Sequence, residues 1–125
     1  MIWLAVIVGG AFGSLLRHGV NVLFGHLLSR ATPYATATVN LVGAGIIGLL
    51  AGLIATGRLE MSATVRAFVF VGILGGFTTF SSYMLDTLTL SYTGEPGLAF
   101  LNVAVQTLFG LAAVWAGYSL GVAIR

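Results

Sequence analysis

Four stretches of this chain run without charge for about the length of a bilayer crossing, and that constrains the fold more than any motif. Residues 2–28, 34–56, 67–85 (continuing apolar toward Tyr92) and 97–124 are dominated by apolar side chains, and among the arginines and carboxylates only Arg17 stands inside one. About 20 such residues span the hydrocarbon core as a helix. Charged residues make up 6% of the chain and hydrophobic ones 58%, a balance that excludes an ordinary soluble domain. The expected fold is an all-α integral membrane protein: one domain over residues 1–125, with helices at about 2–28, 34–56, 63–90 and 97–124 and both termini on one side. Loops are expected at 29–33, 57–62 and 91–96, with Pro33 and Pro96 at helix starts. The first run is long, lacks a basic leader and opens into Gly9-Gly10-Ala11-Phe12-Gly13, so a signal peptide is not expected.

One run is not a plain helix. Gly75-Gly76-Phe77-Thr78-Thr79-Phe80-Ser81-Ser82-Tyr83 places two adjacent glycines, four serine or threonine hydroxyls and several rings in the middle of an apolar segment. Unpaired backbone groups in hydrocarbon cost several kcal/mol each, so irregular backbone at that depth has to be buried in protein or line a cavity. A break of helix 3 near residues 75–79 is therefore expected, and broken membrane helices commonly build ion sites.

Several function classes drop out on composition. No cysteine is present, so thiolate metal sites and disulfides are excluded. The net charge of +2 comes from five scattered arginines, with no basic cluster to hold nucleic acid. His18 and His26 fall in the second half of helix 1, where they read as residues at the headgroup level. Small residues recur every fourth position at Gly9/Gly13, Ala44/Gly48/Gly52, Gly72/Gly76 and Gly117/Gly121, a spacing that lets membrane helices approach closely.

Polar side chains inside the runs carry the chemistry. Asn40, Asn102 and Gln106 need partners, because an unpaired amide in an apolar medium costs roughly 2–7 kcal/mol. Thr36, Asn40 and Gly43 share one face of helix 2, and Asn102 and Gln106 one face of helix 4. Thr79, Ser81 and their neighbours add hydroxyls at the break. Such a track offers donors and no carboxylate in helices 1, 2 or 4; Asp86 is placed near the end of helix 3. Cation and proton paths normally carry Asp or Glu, so donors with one buried arginine favour an anion. Phe80 and Tyr83 can add positive ring edges.

Orientation is nearly balanced. Arg58, Arg66 and Arg125 fall on the side of the termini, Arg17 and Arg30 on the other. A weakly biased single orientation and a dual insertion both fit so small an excess. Four helices are few to enclose an ion path alone, which favours an antiparallel dimer.

These segments resemble the Fluc (CrcB-like) fluoride channels over nearly the whole chain. The resemblance rests on Gly9-Gly10-Ala11-Phe12-Gly13-Ser14-Leu15-Leu16-Arg17, on Thr36-Ala37-Thr38-Val39-Asn40-Leu41-Val42-Gly43, and most specifically on the helix 3 string. It implies a multi-pass protein of a cell membrane, of the bacterial inner-membrane type. It also implies an antiparallel dual-topology homodimer, passive fluoride conduction through two pores, no catalysed reaction, and a central structural sodium ion. By position, Asn40, Phe80 and Tyr83 fall on pore residues, and Arg17 on an arginine near the vestibule. The backbone carbonyls of Gly75 and Thr78 fall on the sodium ligands. Thr79 and Ser81 border the same path, and Asn102 and Gln106 stand where some members carry a Tyr and Ser track. Tyr83 replaces a phenylalanine. Two other readings compete: a small multidrug-resistance-type proton antiporter, which needs a carboxylate that helix 1 lacks, and a non-conducting scaffold.

Overall fold

The computed structural model describes residues 1–28 and 32–124; Arg30, Arg125 and most of the expected 29–33 loop lie outside the described residues. All regular structure among the described residues is helical. Four helices are long and apolar enough to cross a membrane: α1 (Ile2–Leu27), α2 (Tyr34–Ala55), α3 (Ala63–Tyr92) and α4 (Pro96–Ala123). Their ends differ from the expected ones by a residue or two, for local reasons. Leu28 is already extended. Pro96 itself opens α4, where its missing N–H costs least. α3 runs on to Tyr92, before a turn in which Gly94 takes a positive φ of 82°.

The four-residue glycine spacings meet as two seams. Gly9 and Gly13 of α1 face Gly72 and Gly76 of α3, so close that a Cβ on Gly76 would stand 2.7 Å from the Gly10 carbonyl oxygen. Gly48 and Gly52 of α2 face Gly117 and Gly121 of α4 in the same way, with the Val114 and Tyr118 carbonyls against α2. Helices in lipid associate by such close packing, since lipid tails offer no hydrophobic driving force. α1 thus packs along the first half of α3 (residues 63–77), and α2 along the last half of α4. The second half of α3 (Phe80–Tyr92) packs on the start of α4.

Two stretches are wound more widely than an α-helix, with i→i+5 bonding: Ala67–Leu74 in α3 and Val105–Phe109 in α4. Such widenings are frequent at functional sites. The second one carries Gln106.

Candidate functional site: a broken helix and its amide ladder

α3 breaks at Thr78 and Thr79, both extended (φ −82°, ψ 159° and φ −152°, ψ 117°). Gly75, Gly76 and Phe77 remain helical. The break lies at the end of the expected 75–79 window because threonines supply what a new helix start requires. The Thr79 hydroxyl accepts from the Ser82 N–H at 3.2 Å as an N-cap, satisfying one of the orphan donors of the second half. It also lies 3.1 Å from the Ser82 hydroxyl and 3.4 Å from that of Ser81. The glycines have a different task. Gly76 allows contact with α1, and the missing Cβ of Gly43 leaves room for the Thr78 methyl against α2.

Asn40 of α2 stitches the break. Its Oδ1 accepts from the Thr79 N–H at 2.8 Å, and its Nδ2 donates to the Thr79 carbonyl at 3.0 Å. The same Nδ2 donates to Gln106 Oε1 at 2.6 Å. Gln106 Nε2 then donates to Asn102 Oδ1 at 2.8 Å, and Asn102 Nδ2 to the Thr87 hydroxyl at 2.9 Å. The Thr87 hydroxyl donates to the Tyr83 carbonyl at 2.8 Å. Helices 2, 3 and 4 are thereby joined by one continuous ladder of amides. Asn102 and Gln106 are 7% and 8% exposed, so these bonds stand in place of water.

Beside the ladder an open groove of about 430 Å³ is lined by Asn40, Thr79, Phe80, Tyr83, Gln106 and Thr107, among others. Phe80 is 73% exposed, and its ring meets that of Tyr83 edge-on, with centroids 5.7 Å apart and planes at 71°. The Tyr83 hydroxyl lies 3.4 Å from that of Thr107. Arg17 is brought to the break and not to the ladder, its Nη1 3.4 Å from the Thr78 carbonyl.

One residue absent from the sequence reading and one read only by position belong here. Thr87 ends the ladder; its i+4 spacing from Tyr83 was the available signal. Asp86, expected near the helix end, has one carboxylate oxygen buried without a partner, and the Thr36 hydroxyl bonds the carboxylate. The residues lining the groove include no carboxylate, while the Thr36 end of the site carries an acid.

Among the described residues no three His, Asp or Glu side chains gather to hold a metal. Two backbone carbonyls are nonetheless deprived of helical donors. The Thr79 N–H, which an unbroken helix would direct to the Gly75 carbonyl, goes to Asn40. The Ser82 N–H, which would serve the Thr78 carbonyl, goes to the Thr79 hydroxyl.

Residues 4–118 match the family described as CrcB-like protein, Camphor Resistance (CrcB). The chain belongs to the CrcB family. Relatives in it include proteins named fluoride-specific ion channel FluC from Parabacteroides distasonis, Opitutus terrae and Thermus thermophilus. The first is 41% identical over 93% of this chain and 89% of its own length. The second is 42% identical over 99% and 95%, and the third 43% over 98% and 96%. Four apolar helices and CrcB membership make the chain a multi-pass membrane protein of the cell membrane.

Proposed function

We propose that this chain is a passive, fluoride-selective channel that lets a cell shed fluoride, as the names of its relatives indicate. No reaction is catalysed; the ion moves down its gradient across a bacterial-type inner membrane. The observation that carries the reading is the composition of the groove wall. It offers hydroxyls, amides and an edge-on ring pair. It also meets the N-terminal end of a 13-residue half-helix, where unsatisfied N–H groups and the helix dipole favour negative charge. Water-stripped fluoride needs such donors.

The residues lining the path are then Asn40, Thr79, Phe80, Tyr83 and Gln106, with Ser81 and Asn102 supporting them from outside the groove lining and Arg17 drawing anions toward the break. The groove is open on one face, and polar groups so exposed at membrane depth require a cover. A second, antiparallel copy supplies it in this reading, giving two paths per dimer. Lysines added to the 57–62 loop should fix one orientation and abolish flux, and an oppositely biased partner should restore it. Full activity of a single-orientation protein would remove the antiparallel arrangement.

The carbonyls of Gly75 and Thr78 lack their helical donors and suit a small hard cation such as sodium, provided that the Arg17 guanidinium, 3.4 Å from the Thr78 carbonyl, gives that oxygen up. Bound there, it would supply positive charge between the carbonyl ends of two broken helices, as a structural ion that does not travel with fluoride. The test is fluoride efflux from liposomes holding the purified protein, in sodium and with sodium replaced by a large organic cation. Efflux should be present in sodium and fall without it. Absence of efflux in sodium would favour the scaffold reading, and unchanged efflux after verified sodium removal would discard the ion.

A further inference from the structure

We infer that Thr87 is a positioning residue of the anion path: through Asn102 it holds the amide of Gln106 with its donor edge available to the groove. This rests on the channel reading above.

A threonine hydroxyl has one proton, and helical threonines commonly give it to the carbonyl four residues back. Thr87 does so, donating to the Tyr83 carbonyl at 2.8 Å. Alone, that bond would mean only local packing. The second contact changes its meaning. With its proton committed to an oxygen that can only accept, the Thr87 hydroxyl can itself only accept from Asn102, at 2.9 Å. Asn102 must therefore turn its NH₂ to Thr87 and its oxygen to Gln106. Gln106 in turn gives one Nε2 proton to that oxygen and receives Asn40 on Oε1. The polarity of the whole ladder is fixed by backbone groups at both ends, the Thr79 peptide at one and the Tyr83 carbonyl at the other.

Counting protons then separates the roles. Asn40 Nδ2 has two protons, one on the Thr79 carbonyl and one on Gln106. None is spare. Gln106 Nε2 has one bonded proton and one unassigned, and Gln106 borders the groove. Asn102 and Thr87 do not line it. Gln106 is thus the ladder amide able to donate to an anion without first breaking a bond. If an anion instead draws the Asn40 proton away from Gln106, the Asn40 end lets go, and only the Thr87 end still fixes which edge Gln106 presents. A rotated Asn102 would set its oxygen against the Thr87 lone pair and its NH₂ against that of Gln106, so Thr87 disfavours that state.

The experiment compares Thr87→Val, similar in size but without the hydroxyl, with Thr87→Ser, which keeps it. Fluoride efflux should fall about 10-fold in the valine variant, the equivalent of one lost hydrogen bond, and stay within about 3-fold in the serine variant. Gln106 is the only glutamine in the chain, so ¹⁵N-glutamine labelling gives a single side-chain NH₂ signal. Its two protons should be well separated in the parent and in Thr87→Ser, and converge in Thr87→Val. Valine efflux equal to the parent's, serine as slow as valine, or an unmoved Gln106 signal in the valine variant would each overturn the inference. Should the valine variant fail to assemble, fluoride titration of the labelled parent decides: one Gln106 proton should move, and both or neither moving overturns it. A parent without any fluoride efflux would fail the channel reading, while the Gln106 signals of parent and variants would still report on the ladder.

Discussion

Gly76 and Thr79 are three residues apart, yet they belong to regions built on opposite principles. The seam between α1 and the first half of α3 is dry and made by missing side chains: Gly9, Gly13, Gly72 and Gly76 let two backbones touch. The break one turn later is polar and made by side chains that replace backbone bonds. Asn40 takes both backbone groups of Thr79, and the Thr79 hydroxyl takes the Ser82 N–H. The first region holds by shape and tolerates no added atom. The second holds by donor and acceptor count, and is sensitive to identity more than to size.

The largest effect should come from adding bulk to a seam. Gly76→Val would place its Cβ 2.7 Å from the Gly10 carbonyl oxygen, with backbone on both sides and nothing free to move. A loss of about 3 kcal/mol is expected, at the high end for overpacking. Size-exclusion chromatography should recover little monodisperse protein, and a parent-like profile would mean the seam is looser than its geometry.

Next comes a change of identity without bulk. Asn40→Asp can still accept from the Thr79 N–H, but loses both donations and adds negative charge beside the groove. Fluoride efflux should fall about 100-fold, some 3 kcal/mol, with protein recovered at parent yield. Asn40→Ser, uncharged and still a donor, should conduct better than the aspartate. Equal conduction by the two would reduce Asn40 to a packing residue, and the contrast between the regions would collapse.

Tyr83→Phe should matter least. It removes a hydroxyl whose nearest partner is a single long contact to Thr107 at 3.4 Å, and keeps the edge-on ring pair with Phe80. Efflux should stay within about 2-fold of the parent, as befits a bond weaker than the usual 1 kcal/mol. A larger change would bring the phenol into the anion path.

The contrast also explains what the sequence disclosed. Run length and charge placement mark four helices, because bilayer thickness imposes them. The four-residue glycine spacings mark close packing, but spacing alone does not say that Gly9/Gly13 meets Gly72/Gly76 and Gly48/Gly52 meets Gly117/Gly121. The break was legible to within a turn. Gly75-Gly76 draws attention there, while the threonines after it end the helix, since only they can cap its second half. Asn40, Asn102 and Gln106 were visible as amides needing partners. Their order in one ladder was not, because it depends on Thr87, whose i−4 bond is commonplace, and on the widened turn that carries Gln106. Asp86 was visible as an acid near the end of helix 3, but the burial of one of its carboxylate oxygens was not, because that depends on how the helices pack.

The two halves of α3 lean on different neighbours, and this bears on how the protein is made. Residues 63–77 find α1, which is synthesised earlier, whereas Phe80–Tyr92 packs on the start of α4, which is synthesised later. Gln106 is also the last ladder member to emerge from the ribosome. Until then the hydroxyl-rich half of α3 has only α2 to shelter it, so it should stay in the insertion machinery until α4 arrives. Site-specific photocrosslinking of nascent chains cut before α4 and tethered by a C-terminal linker long enough to fill the ribosomal exit tunnel would show that delay as a persistent contact between Ser81 and the insertase, lost when α4 is included.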